Sequence, residues 1–301
     1  MLAAFCTTCV SPGRWAGATA KRRRPAAGWA WVWCGLLAVG ATGCAITVDG
    51  RIGFTGGFGV DDRWAGNARH PGEWREVVVR VEGPVVQQLQ RLFFQNWLYA
   101  TGEIPDGEGE FLEVPPAGPL RAQAVGSTRG ADVSLAKLHY YVPIQAARQR
   151  LWIANAYFLP DRDFRQALVA AARRGVDVRL VLPGPHTDIK LTRYAAHSDY
   201  DELLRGGVRI FEYQPTMLHT KMMVVDSQWT SIGSINFTAR SMRANAEANV
   251  AIYDPDFARQ AEAVIERDLA QSREITREDW RRRGLCNRLR ESYASLYKSL
   301  F

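Results

Sequence analysis

Cysteine is almost absent from the 301-residue chain after its first 44 residues, where only Cys286 remains. This scarcity indicates a reduced, cytosolic-facing protein. The other four cysteines include one C-x-x-C pair, Cys6 and Cys9, but no second pair that could complete a tetrahedral zinc site. No other group of residues has metal-ligand spacing. We therefore expect neither a metal nor another cofactor.

Composition and charge limit the class of protein and the kind of partner that the chain can have. Hydrophobic residues make up 47% of the chain, which is enough for a sizeable core and too many for wholesale disorder. The formal net charge of +7 suits an anionic partner. A phospholipid surface and a nucleic acid both meet that condition, so charge alone does not choose between them.

Residues 1–44 differ in composition from the rest of the chain. A basic run at 21–24 precedes an uncharged stretch at 25–48 that is rich in Trp, Ala, Gly and Val. One interpretation is a membrane span or a signal segment. The other is a segment foreign to the fold, such as a misassigned start. We favour the second, because the change in composition coincides with the loss of a repeated motif.

Regular patterns begin at Ala45. Short apolar runs at 46–48, 52–55 and 77–81 predict strands, and 84–97 has helical spacing. Residues 101–134, rich in Gly, Pro and Glu, predict a linker or long loop. Beyond it, strands and helices alternate, which predicts an α/β layer structure with a largely buried sheet. The predicted strands are 151–158, 176–182, 208–213, 222–225, 231–235 and 248–252, and the predicted helices are 163–174, 191–205 and 255–269.

Two parts of the chain match each other. Asp49 precedes Asp226 by 177 residues, and a glycine-rich run follows each at the same distance. Glu76 precedes Glu247 by 171 residues, and a β-branched run follows each. The ordered set of matches predicts a duplicated domain rather than a solenoid. The paired runs are Gly56-Gly57-x-Gly59 and Gly233-Ser234-x-Asn236.

The second of these parts carries a set of residues suited to phosphodiester cleavage. His219 and Lys221 are two apart before and along a strand, so they share a face, and Asn236 can join them from the next strand. An imidazole can attack phosphorus or protonate the leaving alkoxide, while ammonium and amide groups stabilise the phosphoryl charge. A carboxylate can hold the imidazole in the required tautomer. Glu247 is the better candidate for that task, and Asp226 is better placed to brace the turn after the strand.

The run His219-x-Lys221-x4-Asp226 resembles the HKD motif of the phospholipase D superfamily. Three further runs are similar to cardiolipin synthases: A-N-A-Y-F-x-P-D from Ala154, Y-Q-P-T-M-L-H up to His219, and R-S-M-R-x-N-x-E up to Glu247. The resemblance covers residues 45–301. It implies a bilobal α/β fold of two repeats with one active site between them. It also implies a phosphohistidine intermediate, phosphatidylglycerol as the usual substrate, a second lipid alcohol as acceptor, and no metal.

On this resemblance we expect three units: an atypical segment at 1–44, a remnant of the first repeat plus linker at 45–134, and a complete second repeat at 135–301. The expected partners are an anionic phospholipid and a membrane surface rather than nucleic acid, and a homodimer stays open. We expect the chain at the bacterial cytoplasmic membrane, either peripheral or anchored through its N-terminus. The expected catalytic residues are His219, Lys221, Asp226, Asn236 and Glu247, and the expected substrate-binding residues are Gly233, Ser234 and Glu76.

The first repeat departs from the family pattern. Thr42 and Cys44 stand where its His and Lys belong, and Gly59 stands where Asn236 does in the second repeat. In the family the first-repeat histidine is commonly the nucleophile and the second-repeat histidine the acid, so this chain keeps the acid and has lost the nucleophile. We therefore expect impaired phosphatidyl transfer. A phosphodiesterase or nuclease and a non-catalytic lipid-binding protein remain alternatives.

The C-terminal segment carries leucines near helical spacing among arginines. Leu285, Leu289, Leu296 and Leu300 form the apolar set. The pattern fits a basic amphipathic helix on an anionic membrane, and it fits equally a helix packed on the protein's own core.

Overall fold

The computed structural model describes residues 44–104, 113–127 and 134–301. The expectations for residues 1–43, including the role of Thr42, lie outside the described residues. Within the described part, no helix is both long and apolar enough to cross a bilayer.

A small antiparallel sheet opens the described chain. Its first two strands are joined by an Asp-Gly turn, in which Asp49 and Gly50 take the left-handed conformation at φ 51° and 63° that a tight hairpin needs. A helix follows the third strand and ends at Gly102, which caps it in the same conformation at φ 75°. The elements are β1 (Cys44–Val48), β2 (Ile52–Gly56), β3 (Val78–Glu82) and α1 (Val85–Thr101).

The rest of the chain builds a sheet of eight strands in the order β11-β7-β6-β5-β8-β9-β10-β4. The pairs β5–β6 and β6–β7 are parallel and the other pairs are antiparallel. The strands are β4 (Arg121–Ser127), β5 (Arg150–Asn155), β6 (Asp177–Pro183), β7 (Arg209–Tyr213), β8 (Lys221–Val225), β9 (Trp229–Gly233), β10 (Glu247–Tyr253) and β11 (Ser272–Ile275).

Helices cover both faces of this sheet. Asp161 and Asp254 begin two of them by accepting hydrogen bonds from backbone N–H groups of the first turn, and Pro255 suits the first helical position. The helices are α2 (Leu135–Ala146), α3 (Arg162–Arg173), α4 (Lys190–Arg205), α5 (Ala239–Arg243), α6 (Pro255–Ala270), α7 (Arg277–Arg282) and α8 (Leu285–Ser295).

Two hydrophobic cores lie on opposite faces of the large sheet. Alternate residues of a strand point to opposite faces, so Ile153 of β5 belongs to one core and Ala154 to the other. The first core contains buried residues of α2, α3 and α4. The second contains α6 together with Val79 of β3 and Leu89 of α1. The N-terminal elements therefore pack on the large sheet, as an α/β layer structure requires.

The linker prediction for residues 101–134 is wrong at 121–127. These residues form β4, which pairs with all seven residues of β10, from Ser127 opposite Glu247 to Arg121 opposite Tyr253. The strand has short side chains and exposed polar residues, so its apolar signal is weak. It forms because its backbone N–H and C=O groups make hydrogen bonds to β10, which is distant in sequence. The sequence of β4 itself does not indicate that pairing.

The two hairpins correspond residue by residue. Lys221 follows Cys44 by 177 residues, and the same spacing carries both bounds of β1 and β2 onto those of β8 and β9. Asp226, the partner of Asp49 at this spacing, has φ 52° against its 51°. A strand and a long helix follow in each half, β3 and α1 in one and β10 and α6 in the other.

Candidate active site

His219 lies just before β8 and is held by a segment from the N-terminal half. Its backbone N–H donates to the carbonyl of Arg75 over 2.7 Å, and the N–H of Arg75 donates to the carbonyl of Met217 over 2.8 Å. These bonds form a short parallel bridge between the two halves of the chain. The position of the imidazole is therefore set by both halves together.

The carboxylate partner of His219 is Glu76. Its Oε2 lies 2.7 Å from Nδ1 of the imidazole. The expectation that Glu247 plays this part is wrong, because Glu247 Oε1 accepts instead from Ser241 Oγ at 2.8 Å and Asn245 Nδ2 at 3.1 Å. The sequence marks both glutamates as counterparts, but only packing of the two halves brings Glu76 to the histidine.

Lys221 is fully buried beside the same imidazole. Its Nζ lies 2.9 Å from Nδ1 and 3.0 Å from Nε2 of His219, and 3.9 Å from Oε2 of Glu76. It also contacts the carbonyl oxygen of His219. His219 and Lys221 therefore point to the same side of the strand, as their spacing predicts. The resulting set is an imidazole between a cation and an anion.

The surroundings lower the pKa of His219. Burial is the larger cause and the ammonium of Lys221 the second, while the hydrogen bond and charge of Glu76 act in the opposite direction. The imidazole is accordingly neutral at neutral pH. With Nδ1–H donating to Glu76, the ring's lone pair is on Nε2, 3.0 Å from Lys221 Nζ, and this nitrogen is the one that can accept a proton or attack an electrophile.

Asp226 lies at the other end of β8, roughly 20 Å along the extended chain from His219. Its Oδ1 accepts from the backbone N–H groups of Gln149 and Arg150 at 2.7 and 2.8 Å, and its Oδ2 accepts from that of Arg148 at 2.9 Å. Asp226 braces the turn and the start of β5. The structure does not bring it to the imidazole.

The remaining predicted residues, Gly233, Ser234, Asn236 and Glu247, lie at the end of β9, just after it and at the start of β10. Ser234 Oγ accepts from the N–H of Ala248 at 3.0 Å. A Cβ at Gly233 would lie 2.2 Å from Asn249 Oδ1, so this position requires glycine. Asn236 Nδ2 lies 3.5 Å from Ser241 Oγ, which in turn donates to Glu247. Asn236 and Glu247 thus belong to a second buried polar cluster. The catalytic role of Asn236 and the substrate-binding roles of Gly233 and Ser234 stay predictions.

Four residues around His219 were missing from the predicted site. A Cβ at Gly57 would lie 2.5 Å from both Glu76 Oε2 and Lys221 Nζ, so only glycine leaves this space open. The rings of Trp64, Trp74 and Tyr157 lie 5.7, 4.9 and 5.9 Å from the imidazole ring. Tyr157 also donates to Asp188 Oδ2 at 2.6 Å. The sequence carried signals for three of them: Gly57 lies in the repeated glycine-rich run, Tyr157 lies in the A-N-A-Y-F-x-P-D run, and Trp74 adjoins Arg75 and Glu76.

A buried ion pair ties the Glu76 segment to the C-terminal half. Arg75 Nε lies 2.7 Å from Asp268 Oδ1 on α6, and the side chains are only 7% and 2% exposed. Another guanidinium nitrogen of Arg75 donates to Asn67 Oδ1, which also accepts from the N–H of Glu76. The contacts of Arg75 therefore hold two groups in place: its own carbonyl, which accepts the hydrogen bond from the backbone N–H of His219, and the neighbouring Glu76.

Comparisons with known proteins agree with this geometry. The domain described as "Cardiolipin synthase, PLD-like domain" matches residues 141–269. Cardiolipin synthase 2 of Bacillus cereus is 36% identical over 266 residues, which cover 85% of this chain and 50% of that protein. Cardiolipin synthase A of Pseudomonas putida is 39% identical over 238 residues, which cover 78% of this chain and 48% of that protein. The chain belongs to the phospholipase D superfamily, in its cardiolipin synthase branch.

The fold comparison extends over most of the phospholipase D-like chain. The crystal structure of phosphatidylserine synthase from Haemophilus influenzae Rd KW20 matches 87% of this chain and 71% of its own, with a TM-score of 0.62 and 12% identity. That likeness supports the predicted phospholipase D-like α/β fold. The chain spans about half the length of the curated relatives it matches.

Proposed function

We propose that this chain takes part in phosphatidyl transfer between phospholipids through a phosphohistidine-type mechanism. The observation that carries the proposal is the buried His219 with Glu76 on Nδ1 and Lys221 at 2.9–3.0 Å from both ring nitrogens. The names of its relatives support a phospholipid substrate, and phosphatidylglycerol is the one we propose.

His219 serves as the acid and base of the reaction. A second imidazole attacks phosphorus while protonated Nε2 of His219 donates its proton to the leaving glycerol oxygen as the phosphorus–oxygen bond breaks. In the second step the neutral His219 takes a proton from the acceptor hydroxyl, whose oxygen bonds to phosphorus and displaces the second imidazole. An anionic phosphodiester next to the imidazole favours its protonated form, which offsets the lowered pKa when substrate binds. Lys221 stabilises the charge on the non-bridging oxygens.

A complete site needs a second imidazole. Glu76 of the N-terminal half serves His219 of the C-terminal half, and the repeat relation pairs Glu76 with Glu247. We propose that the chain arose by duplication of a unit containing the HKD motif, in which Glu247 is the counterpart of Glu76 and position 42 is the counterpart of His219. This chain has Thr42 there, so we propose that transfer by this chain alone is impaired.

The proposed partner surface is an anionic membrane. A phosphatidyl substrate resides in a bilayer, and the net charge of +7 favours an anionic one. We propose a location at the bacterial cytoplasmic membrane. A homodimer that shares two copies of His219 is the alternative route to a complete site.

The test is turnover of phosphatidylglycerol by the purified chain, with separate measurement of lipid transfer, hydrolysis to phosphatidic acid and cleavage of DNA. His219→Ala should abolish transfer, and Lys221→Ala should lower it on the order of 10²-fold. His70→Ala, an exposed histidine, is the matched control and should change nothing.

Four other outcomes would contradict the proposed phosphatidyl transfer. Full transfer by the His219→Ala variant would refute the site. Hydrolysis without transfer would favour a phosphodiesterase, and cleavage of DNA with no action on lipid would favour a nuclease. Lipid binding with no chemistry in any variant would favour a non-catalytic lipid-binding protein.

A further inference from the structure

Helix α8 and the turn after it carry a row of exposed apolar side chains. We call this the α8 row: Leu285, Leu289, Tyr293, Leu296 and Leu300. Leu285, Leu289 and Leu296 are 75%, 71% and 74% exposed. Large apolar side chains at such exposure are unusual when they stand together, because a contiguous apolar surface costs free energy in water.

The row lies on one side of the helix. At about 100° per residue, its members from Leu285 to Leu296 fall within an arc of about 80°. The two buried residues of α8, Glu291 and Ala294, lie on the opposite side. The apolar side of α8 therefore points away from the protein, whereas the apolar side of an ordinary amphipathic helix faces the core.

Polar contacts fix this orientation. Glu291 accepts from Arg283 Nε at 3.0 Å, and Lys298 Nζ lies 2.6 Å from Asp199 Oδ1 on α4. Ala294 belongs to the core beneath. Turning the leucines inward would break both ion pairs. The helix therefore packs on the protein, as the alternative expected, but it does so through Glu291 and Ala294, and its leucines do not face the core.

Arginines flank the row on both sides. Arg288 and Arg290 each lie about 100° around the helix from the centre of the row, in opposite directions. Both are exposed, and the described part of the chain contains no ion pair that joins either of them to a carboxylate. Exposed Arg281 of α7 adds a third positive charge near the start of the helix.

We propose that the α8 row is a docking surface for an anionic phospholipid bilayer. The helix lies in the plane of the interface, its leucines enter the acyl boundary, and the arginines on both sides meet lipid phosphates. A second copy of the chain fits less well, because a two-fold contact through this row would bring the arginines of the two copies together. The inference deepens the membrane partner of the proposed function, but it is tested by binding rather than turnover.

The first experiment is co-sedimentation of the full chain with vesicles of equimolar phosphatidylglycerol and phosphatidylcholine, and with vesicles of phosphatidylcholine alone. The double variant Leu289→Asp, Leu296→Asp should weaken binding to anionic vesicles at least about tenfold. Arg288→Gln with Arg290→Gln should weaken it roughly 25-fold on anionic vesicles and much less on neutral ones. Tyr253→Asp, at a half-exposed tyrosine of β10, is the matched control and should bind normally.

The second experiment measures whether α8 itself contacts the membrane, because vesicle binding through another segment would also make the chain sediment. Cys286 is exposed beside the α8 row and accepts a fluorescent label in a chain whose Cys6, Cys9, Cys34 and Cys44 are changed to serine. Anionic vesicles with brominated acyl chains should quench this label. A label at Tyr253→Cys should stay unquenched.

Two results would overturn the proposal. One is a label at Cys286 that stays unquenched while the chain sediments with vesicles, since the membrane contact would then lie elsewhere. The other is unchanged vesicle binding by the leucine variant together with a shift from dimer to monomer, which would assign the row to a second copy. If the Cys286 label is quenched but the chain transfers no phosphatidyl group, the proposed activity is refuted and the proposed membrane contact is not.

Discussion

His219 is buried between a carboxylate and an ammonium, and burial together with these two charges sets the pKa of its imidazole. Glu76 raises that pKa while burial and Lys221 lower it. Glu76→Gln should therefore shift the titration of His219 to still lower pH. The limb of the pH–rate profile that reports His219 should move the same way. NMR titration of the histidine ring measures the shift directly.

Glu247→Gln is the matched control for this experiment. Glu247 accepts from Ser241 and Asn245 rather than from the histidine, so its replacement should leave the His219 titration in place. A larger shift from Glu247→Gln than from Glu76→Gln would contradict the assignment of the carboxylate partner.

Gly57 leaves the space in which Glu76 and Lys221 meet the imidazole. Gly57→Ala would place a methyl group 2.5 Å from the reactive ends of both side chains and displace them. Because these are the ends of side chains, the fold should survive, while misplacement of the site should cost on the order of 10²-fold in rate. Circular dichroism and turnover measure the two effects. Gly72→Ala, where a Cβ meets nothing within 4 Å, should be silent in both.

At the scale of elements, the segment that carries Arg75 and Glu76 is joined to α6 by the buried Arg75–Asp268 pair. Asp268→Asn leaves the guanidinium buried without its counter-charge, which should lower the free energy of unfolding by about 3–5 kcal/mol. Urea denaturation measures this loss. Transfer should fall as well, since the Arg75 carbonyl holds the backbone of His219.

An exposed ion pair between two strands provides the comparison. Arg209 of β7 and Glu274 of β11 lie 2.8 Å apart with side chains 44% and 40% exposed. Glu274→Gln should change the free energy of unfolding by less than about 1 kcal/mol. Equal losses in the two variants would show that Arg75 and Asp268 do not act as a buried clamp.

At the scale of the whole molecule, the two corresponding halves meet at one site, and within residues 44–104, 113–127 and 134–301 only the C-terminal half contributes a histidine to it. The proposed mechanism uses one imidazole as nucleophile and another as acid, so the 301-residue chain should be a poor catalyst. The comparison is a version with Thr42→His and Cys44→Lys in a completed first repeat. Its transfer of phosphatidylglycerol should be faster by about 10²–10⁴-fold. Comparable rates would show that the second motif is not needed.

Local patterns in the sequence were sufficient for most elements of the fold. The hairpins, the strands of the large sheet from β5 to β10 and the helices α1, α3, α4 and α6 have strong periodicity and clear turns, so their positions differ from the predictions by only a few residues. The helices α2, α5 and α7 were not predicted. Two strands were also missed, β4 and β11, and both are edge strands. Each is held by one neighbouring strand that is distant in sequence, and their own side chains carry little apolar signal.

By itself, the sequence determined the chemistry of the site: the residue types and spacing of His219 and Lys221, the bracing role of Asp226, and the superfamily. The tertiary structure decided which groups meet. Glu76, Gly57 and Trp74 reach the imidazole only because the two halves pack together, and the α8 leucines face outward only because Glu291 and Lys298 are tied to the protein on the other side. Spacing along a chain fixes which side chains share a face of one element. Contacts between elements far apart in sequence depend on how their surfaces pack, which no local pattern contains.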